Sequence, residues 1–183
     1  MKKIRGIQSL PKEATYDEMD SPVGLLTIIT SVKGLHAIIW DIDRANPRWE
    51  HSLSGLIHSK NDPTMIETKK QLTGYFQKKR KTFDLPLVLE GTEFQVAAWN
   101  QLVKIPYATT ICYAEQAERM GDRNKARAVG MANGLNPISI VIPCHRVIGR
   151  NGDLVGFGGG LEKKAYLLNL ESISSTYVHH FIK

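Results

Sequence analysis

Two runs of β-branched and apolar positions, Leu25–Thr30 and Leu35–Trp40, flank the short polar stretch Ser31-Val32-Lys33-Gly34. Such runs around a glycine-containing turn predict a β-hairpin, with Ser21-Pro22-Val23-Gly24 as the turn leading into it. Further on, Asp62-Pro63 has the form of an N-cap followed by proline at the first helical position. The helix it opens places Met65, Leu72 and Phe76 near one face and is expected to end in Lys78-Lys79-Arg80-Lys81, a basic run suited to a helix C-terminus. Its ordinary explanation is a solvated helix end. The character of the chain changes around Asp84–Gly91, which divides it into an N-terminal α/β domain, 1–88, and a C-terminal domain, 89–183.

The second part reads as helices. Thr92-Glu93-Phe94-Gln95 has the capping-box pattern. Val96, Trp99 and Val103 then form an apolar stripe that stops at Pro106. A second short helix fits Tyr113–Met120, with Ala114, Ala117 and Met120 inward and Gly121 as its stop. A third runs from about Asn124 to Asn133, with small residues at 126, 128, 130 and 132 and with Arg127 four residues before Met131. Three short helices joined by tight turns predict a helix-turn-helix unit whose third helix is the recognition helix. Small side chains admit another backbone closely, whether a neighbouring helix or DNA.

Composition narrows the class without deciding it. The 183 residues are 42% hydrophobic and 23% charged, as in an ordinary folded protein. Two cysteines, Cys112 and Cys144, cannot build a zinc ribbon or a disulfide scaffold. No signal-peptide core follows Met1–Lys12, and the apolar run Ile138–Ile142 is too short to span a bilayer, so the expectation is a cytoplasmic protein with no membrane partner. The net charge is +6, yet its placement says more than its sum. Arg119, Arg123, Lys125, Arg127, Arg146 and Arg150 share the window 119–150 with one acid, Asp122. A local excess of this kind is expected of a phosphate-binding surface.

The run Asn136-Pro137-Ile138-Ser139-Ile140-Val141-Ile142-Pro143-Cys144-His145-Arg146-Val147 carries the chemistry. A cysteine here could be a small buried hydrophobe, but His145 and Arg146 beside it would favour its thiolate. In a regular strand adjacent side chains point to opposite faces. Cys144 and His145 therefore cooperate only if Pro143 sets the cysteine in a turn or a water links the two. A carboxylate orienting the imidazole is also required, and spacing alone does not choose it.

With Gly156-Phe157-Gly158-Gly159-Gly160-Leu161 downstream, Pro143-Cys144-His145-Arg146-Val147 resembles the 6-O-alkylguanine-DNA alkyltransferase family, also called methylated-DNA–protein-cysteine methyltransferases. The likeness is dense from Thr92 to Glu171 and sparser upstream, where Ser21–Gly24 and Leu72-Thr73-Gly74-Tyr75-Phe76 match. It implies a ribonuclease-H-like N-terminal α/β domain and an all-α, winged-helix-type C-terminal domain. It also implies irreversible, single-turnover transfer of an alkyl group from 6-O-alkylguanine, with 4-O-alkylthymine as a further candidate, in duplex DNA. A lesion sensor that binds without repairing is the alternative.

By the same resemblance Cys144 is the acceptor, His145 its base through a water, Glu171 the orienting carboxylate, and Asn136 a hinge residue steadying the turn. Tyr113 protonates the departing guanine, and Arg127 enters the stack where the base was flipped. Asn124, Lys125, Ala126, Ala128, Gly130 and Met131 line the DNA contact. Asn133, Val147, Phe157, Gly158 and Gly159 form the base pocket. Phe157 and Gly158 stand where some members have Tyr and Ser, which implies room for alkyl groups larger than methyl. No cofactor and no cysteine-liganded zinc are expected. The protein is expected to act as a monomer, with cooperativity along DNA and the role of the tail 172–183 left open.

Overall fold

A computed structural model describes residues 10–41 and 55–172, and the chain divides into two compact units. The first comprises residues 1–92 together with Pro137–Ser139, and the second comprises Glu93–Asn136 and 140–183. The N-terminal basic segment 1–9, residues 42–54 and the tail 173–183, with His179 and His180, lie outside the described residues.

Among the described residues, the first unit is a four-stranded mixed sheet with one α-helix. Strands β1 (Thr15–Met19), β2 (Leu26–Ser31), β3 (Gly34–Trp40) and β4 (Ile57–His58) lie in the order β3-β2-β1-β4. The expected hairpin is β2–β3, antiparallel, with a register shift between Ile29 and Thr30. Every residue of both strands is buried, so the alternation of a half-exposed sheet is missing there. The turn before it closes through Gly24 N–H to the Ser21 carbonyl at 3.0 Å, and Gly24 takes a φ of +94°, which favours glycine. Segment 137–139 adds to the β3 edge, where Ile38 N–H donates to the Pro137 carbonyl at 2.9 Å.

Helix α1 (Pro63–Phe76) begins as the sequence predicts. The Asp62 side chain accepts from Met65 N–H at 3.0 Å, and proline stands in the first turn. Its buried face differs from the expected one: Tyr75, not Phe76, joins Met65 and Leu72 inside, with Thr68 and Gln71. Gln71 is admitted because its amide donates to, and accepts from, the backbone of Asp84. The basic run lies past the helix end, where Lys78 takes a φ of +58°.

One charge cluster ties the edge of this unit together. Asp17 on β1 is buried and accepts from Lys69 of α1 and from His58 of β4, the latter at 2.9 Å. Burial opposes its ionisation. The Lys69 ammonium, Glu18 N–H and His58 outweigh that and hold the carboxyl below its usual range.

The second unit contains α2 (Glu93–Val103), β5 (Ile111–Cys112), α3 (Tyr113–Arg119), α4 (Ala126–Gly134), β6 (Val147–Ile148) and α5 (Leu161–Glu171). Two expectations are corrected. Helix α2 buries Ala98, Trp99 and Leu102 and leaves Val103 exposed, so the inward face is rotated from the predicted Val96/Trp99/Val103 stripe. Helix α4, expected from about Asn124, starts later, because Asn124 and Lys125 belong to a 3₁₀ turn, Arg123–Lys125, capped by Asp122. Among the described residues of the second unit, β5 and β6 form a two-stranded parallel sheet. Among the described residues no helix is long and apolar enough to cross a membrane.

The Asp17 cluster gives a stability prediction. Asp17→Asn should destabilise the protein by about 2 kcal/mol, the range for hydrogen bonds to a charged group. Because the native carboxyl is more acidic than the unfolded one, its contribution is present above the unfolded carboxylate pKa. It is lost as pH falls through the lower native value. Urea denaturation should therefore show a smaller loss for the variant at acid pH than at neutral pH. An equal loss at both would contradict the assignment.

Candidate active site

The run before Cys144 is not one extended strand. The chain turns at Ile140, a β-branched residue at φ +76°, and again at Pro143. Pro143 has φ −82° and ψ 64°, and Cys144 N–H donates to the Ile142 carbonyl at 2.8 Å. This is an inverse γ-turn, whose geometry proline's fixed φ suits. Cys144–Arg146 then form a 3₁₀ turn. The cysteine thus stands in a turn, the condition under which Cys144 and His145 can cooperate.

Asn136 braces that turn. Its side-chain amide donates to the Ile142 carbonyl at 2.8 Å and lies 3.2 Å from Cys144 Sγ. One side chain thereby contacts both the carbonyl that closes the γ-turn and the sulfur it presents. Cys144 is 6% exposed, and both cysteines are thiols.

The carboxylate that spacing could not choose is Glu171. His145 Nε2 lies 2.8 Å from Glu171 Oε1, both groups fully buried. Arg146 grips the same carboxylate with two nitrogens, Nε to Oε2 and Nη2 to Oε1, each at 2.9 Å. Ala108 N–H adds a fourth bond at 3.1 Å. Burial alone would make Glu171 a weaker acid. The bonds from His145 and Arg146 reverse this and bring it down to about 2. An ionised acceptor at Oε1 requires a hydrogen on Nε2, so the neutral ring has Nδ1 as its basic nitrogen. Burial pushes the His145 pKa below the usual histidine value, against the pull of Glu171, and the ring is neutral near pH 7.

Tyr113 begins α3, where Cys112 of β5 hands over to the helix. Its hydroxyl donates to the Val155 carbonyl at 3.0 Å and to the Gly156 carbonyl at 3.3 Å. Burial, then the charge of Cys144, raise its pKa to about 12. Gly130 of α4 backs this ring: a Cβ there would stand 3.6 Å from two ring carbons. The glycine belongs to the phenol's packing as well as to the small-residue pattern. Phe157–Gly160 form a turn closed by Gly160 N–H to the Phe157 carbonyl at 3.1 Å, with Gly158 and Gly159 between them.

Asn133 is a residue of α4. Its amide exchanges two hydrogen bonds with Gln116 of α3, at 2.7 and 3.1 Å, and is buried between helices. Val147 is buried at the start of β6. On α4 the exposed positions are Arg127, Ala128, Met131 and Gly134, continued by the C-cap Leu135 on a single helical face, with Ala126 and Gly130 partly exposed.

The basic window needs correction. Arg146 is buried on Glu171 and cannot meet phosphate. Arg119 pairs with Glu115, Arg123 with Glu118, and Lys125 with Asp122. Among the described residues Arg127 pairs with no carboxylate. Charge counting along the sequence includes Arg146 in the basic surface, and only its place beside the cysteine motif points to another role. Arg146 also lies 5.9 Å from the Tyr107 ring and donates to the Ile105 carbonyl at 2.5 Å.

Two family models match the chain. The 6-O-methylguanine DNA methyltransferase ribonuclease-like domain covers residues 14–89, and the DNA binding domain of the same name covers 93–173. The methylated-DNA–protein-cysteine methyltransferase of Mycolicibacterium paratuberculosis is 44% identical over 156 residues, 85% of this chain and 91% of that protein. That of Methanosarcina acetivorans is 40% identical, over 85% of this chain and 97% of its own length. Among solved structures, Mycobacterium tuberculosis O6-methylguanine methyltransferase matches with a TM-score of 0.77 at 39% identity, covering 86% of this chain and 92% of that one. The M. tuberculosis OGT solved in complex with DNA matches with the same values.

Arg146→Met should leave Glu171 buried with one cationic neighbour fewer. The expected cost is about 3 kcal/mol, as for breaking a buried pair on one side. Because the Arg146 charge lowers the His145 pKa, the imidazole should titrate at higher pH in the variant. Ring-proton NMR titration reads this directly, and a downward or absent shift would contradict the arrangement.

Proposed function

The chain belongs to the 6-O-methylguanine DNA methyltransferase family, which repairs DNA by direct reversal with methyl transfer to a cysteine, and from that premise we propose that its acceptor is Cys144. The observation that carries this is the cysteine in a proline-set turn, braced by Asn136, next to a neutral histidine tied to an ionised glutamate.

The step balances on the chain's own groups. The Cys144 S–H proton passes through a water to the basic nitrogen of His145, and Glu171 stabilises the imidazolium that forms. The thiolate attacks the alkyl carbon; an S–C bond forms as the bond from that carbon to the guanine oxygen breaks. The electron pair leaves with guanine, and Tyr113 supplies its proton. The products are guanine and S-alkylcysteine, so the thiol is consumed and the protein acts once.

The substrate is 6-O-alkylguanine flipped out of duplex DNA, with 4-O-alkylthymine a second candidate. Flipping costs a few kcal/mol, less for a lesion that pairs poorly. Arg127, exposed on α4 and without a carboxylate partner among the described residues, fills the vacated stack. The small and apolar face beside it, Ala128, Met131 and Gly134, lets the helix backbone approach the groove. Val147 and the Phe157–Gly159 turn receive the base, and the absence of a side chain at Gly158 leaves room for groups larger than methyl. The protein works as a cytoplasmic monomer.

Incubation with duplex DNA containing 6-O-methylguanine should add one methyl group to the Cys144 peptide, stoichiometrically and without recovery. DNA binding with an unmodified peptide would return the lesion-sensor reading. Arg127→Ala should slow repair of duplex DNA roughly tenfold or more while reaction with free 6-O-benzylguanine base changes little. Equal losses on both substrates would remove the assignment of Arg127.

A further inference from the structure

Lys164 of α5 has no exposed surface, and the transfer scheme gives it no task. An ammonium group is costly to bury unless its protons find acceptors. Here Nζ donates to the Val147 carbonyl at 2.6 Å and to the Val155 carbonyl at 2.8 Å. Val147 is the residue that leaves the Cys144–Arg146 turn. Val155 is the residue whose carbonyl accepts the Tyr113 hydroxyl. Nζ also stands 5.9 Å from the centre of the Tyr113 ring. One buried cation therefore joins the strand that follows the cysteine to the loop that holds the phenol.

The chemistry of the leaving group gives that placement a purpose. A tyrosine pushed up to about 12 is a poor acid, and losing its proton creates a second anion in a buried place. During transfer, negative charge passes from sulfur to guanine and finally to the phenol oxygen. A fixed positive charge at the receiving end stabilises that movement without reorganising.

We propose that Lys164 is a positioning residue for the leaving-group step: its ammonium fixes the Val155 carbonyl on which the Tyr113 hydroxyl rests and stabilises the phenolate formed when Tyr113 protonates the departing guanine. Lys164 keeps its own proton; the Tyr113 O–H bond breaks, a guanine N–H bond forms, and solvent later restores the phenol. The inference rests on the reading of Tyr113 as the proton donor. Burial lowers the Lys164 pKa to about 8, against the pull of the Cys144 charge, so the cation is largely present at neutral pH and lost above it.

The test is single-turnover alkylation of Cys144 by 6-O-benzylguanine bases whose guanine is made a better leaving group by electron-withdrawing substituents. Lys164→Met should react roughly tenfold or more slowly with the parent base, and the deficit should shrink steadily as the leaving group improves. Lys164→Arg should recover part of the loss. A deficit of equal size across the series would overturn the proposal, because a merely structural role slows every substrate alike.

The wild-type chain supplies a reading that needs no variant to fold. The ratio of rates for a good and a poor leaving group cancels the titration of Cys144 and His145, two of the groups facing Lys164. The third, Tyr113, titrates far higher. That ratio should rise as pH passes about 8, and a flat ratio would overturn the proposal. Tyr113→Phe separates the two readings. If it leaves the leaving-group dependence unchanged, the donor assignment has failed; if it steepens the dependence while Lys164→Met does not, only the role of Lys164 has failed.

Discussion

A buried carboxylate at the wrong end of a helix organises the second unit. Glu171 is the last residue of α5, where the helix dipole disfavours an anion, and it is 2% exposed, where burial disfavours it again. It is ionised because His145, Arg146 and the Ala108 amide converge on it. Those partners come from separate stretches: the turn that carries the cysteine and the loop after α2. Ala108 reaches the carboxylate from a φ of +60°, a conformation costly for alanine. Ile140 carries similar strain just before the cysteine turn. Ile140 precedes the turn that carries Cys144, and Ala108 meets the carboxylate that holds His145. Two of the three non-glycine residues at positive φ among the described residues therefore serve this arrangement, the third being Lys78.

The same constraint reorders the electrostatics. A basic window invites the picture of a surface coated with cations, yet its members are mostly engaged. Arg146 serves Glu171 from inside, and Arg119, Arg123 and Lys125 each lean on a nearby acid. Exposed pairs of this kind are worth little to stability and exchange readily for phosphate. Among the described residues Arg127 has no such partner to leave, and it sits on the face of α4 that is otherwise small or apolar. Affinity for a polyanion can therefore be spread over the pairs, and Arg127 stands apart from them.

Much of the scaffold could be read from local signals. The β2–β3 hairpin, the Asp62 cap and the stop at Gly121 each depend on a few neighbouring residues, and local physics fixes them. Strand β1 gave no such signal, because Thr15-Tyr16-Asp17-Glu18-Met19 hides a buried aspartate that only Lys69 and His58 make tolerable. The α2 face departs from its sequence pattern for a related reason: which of Val96, Ala98, Leu102 and Val103 turns inward is decided by partners far along the chain. At the site, the cysteine motif was visible as a run of residues, and the resemblance it carries named Glu171, Asn136 and Tyr113. The second grip on Glu171 was not visible, since Arg146 and Glu171 lie 25 residues apart with no periodic relation. The bonds between Asn133 and Gln116 in the packing of α3 against α4 were equally invisible, since the two residues lie 17 apart on different helices.

The central claim is that the charge of Glu171, and not merely its shape, makes Cys144 a working acceptor. Glu171→Gln keeps the volume and removes the charge. Its single-turnover transfer rate from duplex DNA containing 6-O-methylguanine, measured at neutral pH on protein shown by circular dichroism to be folded, is the most direct test. The arrangement predicts a rate roughly a hundredfold or more below the parent chain, the scale of a lost general base. A folded variant that transfers the methyl group within twofold of the parent rate would contradict it.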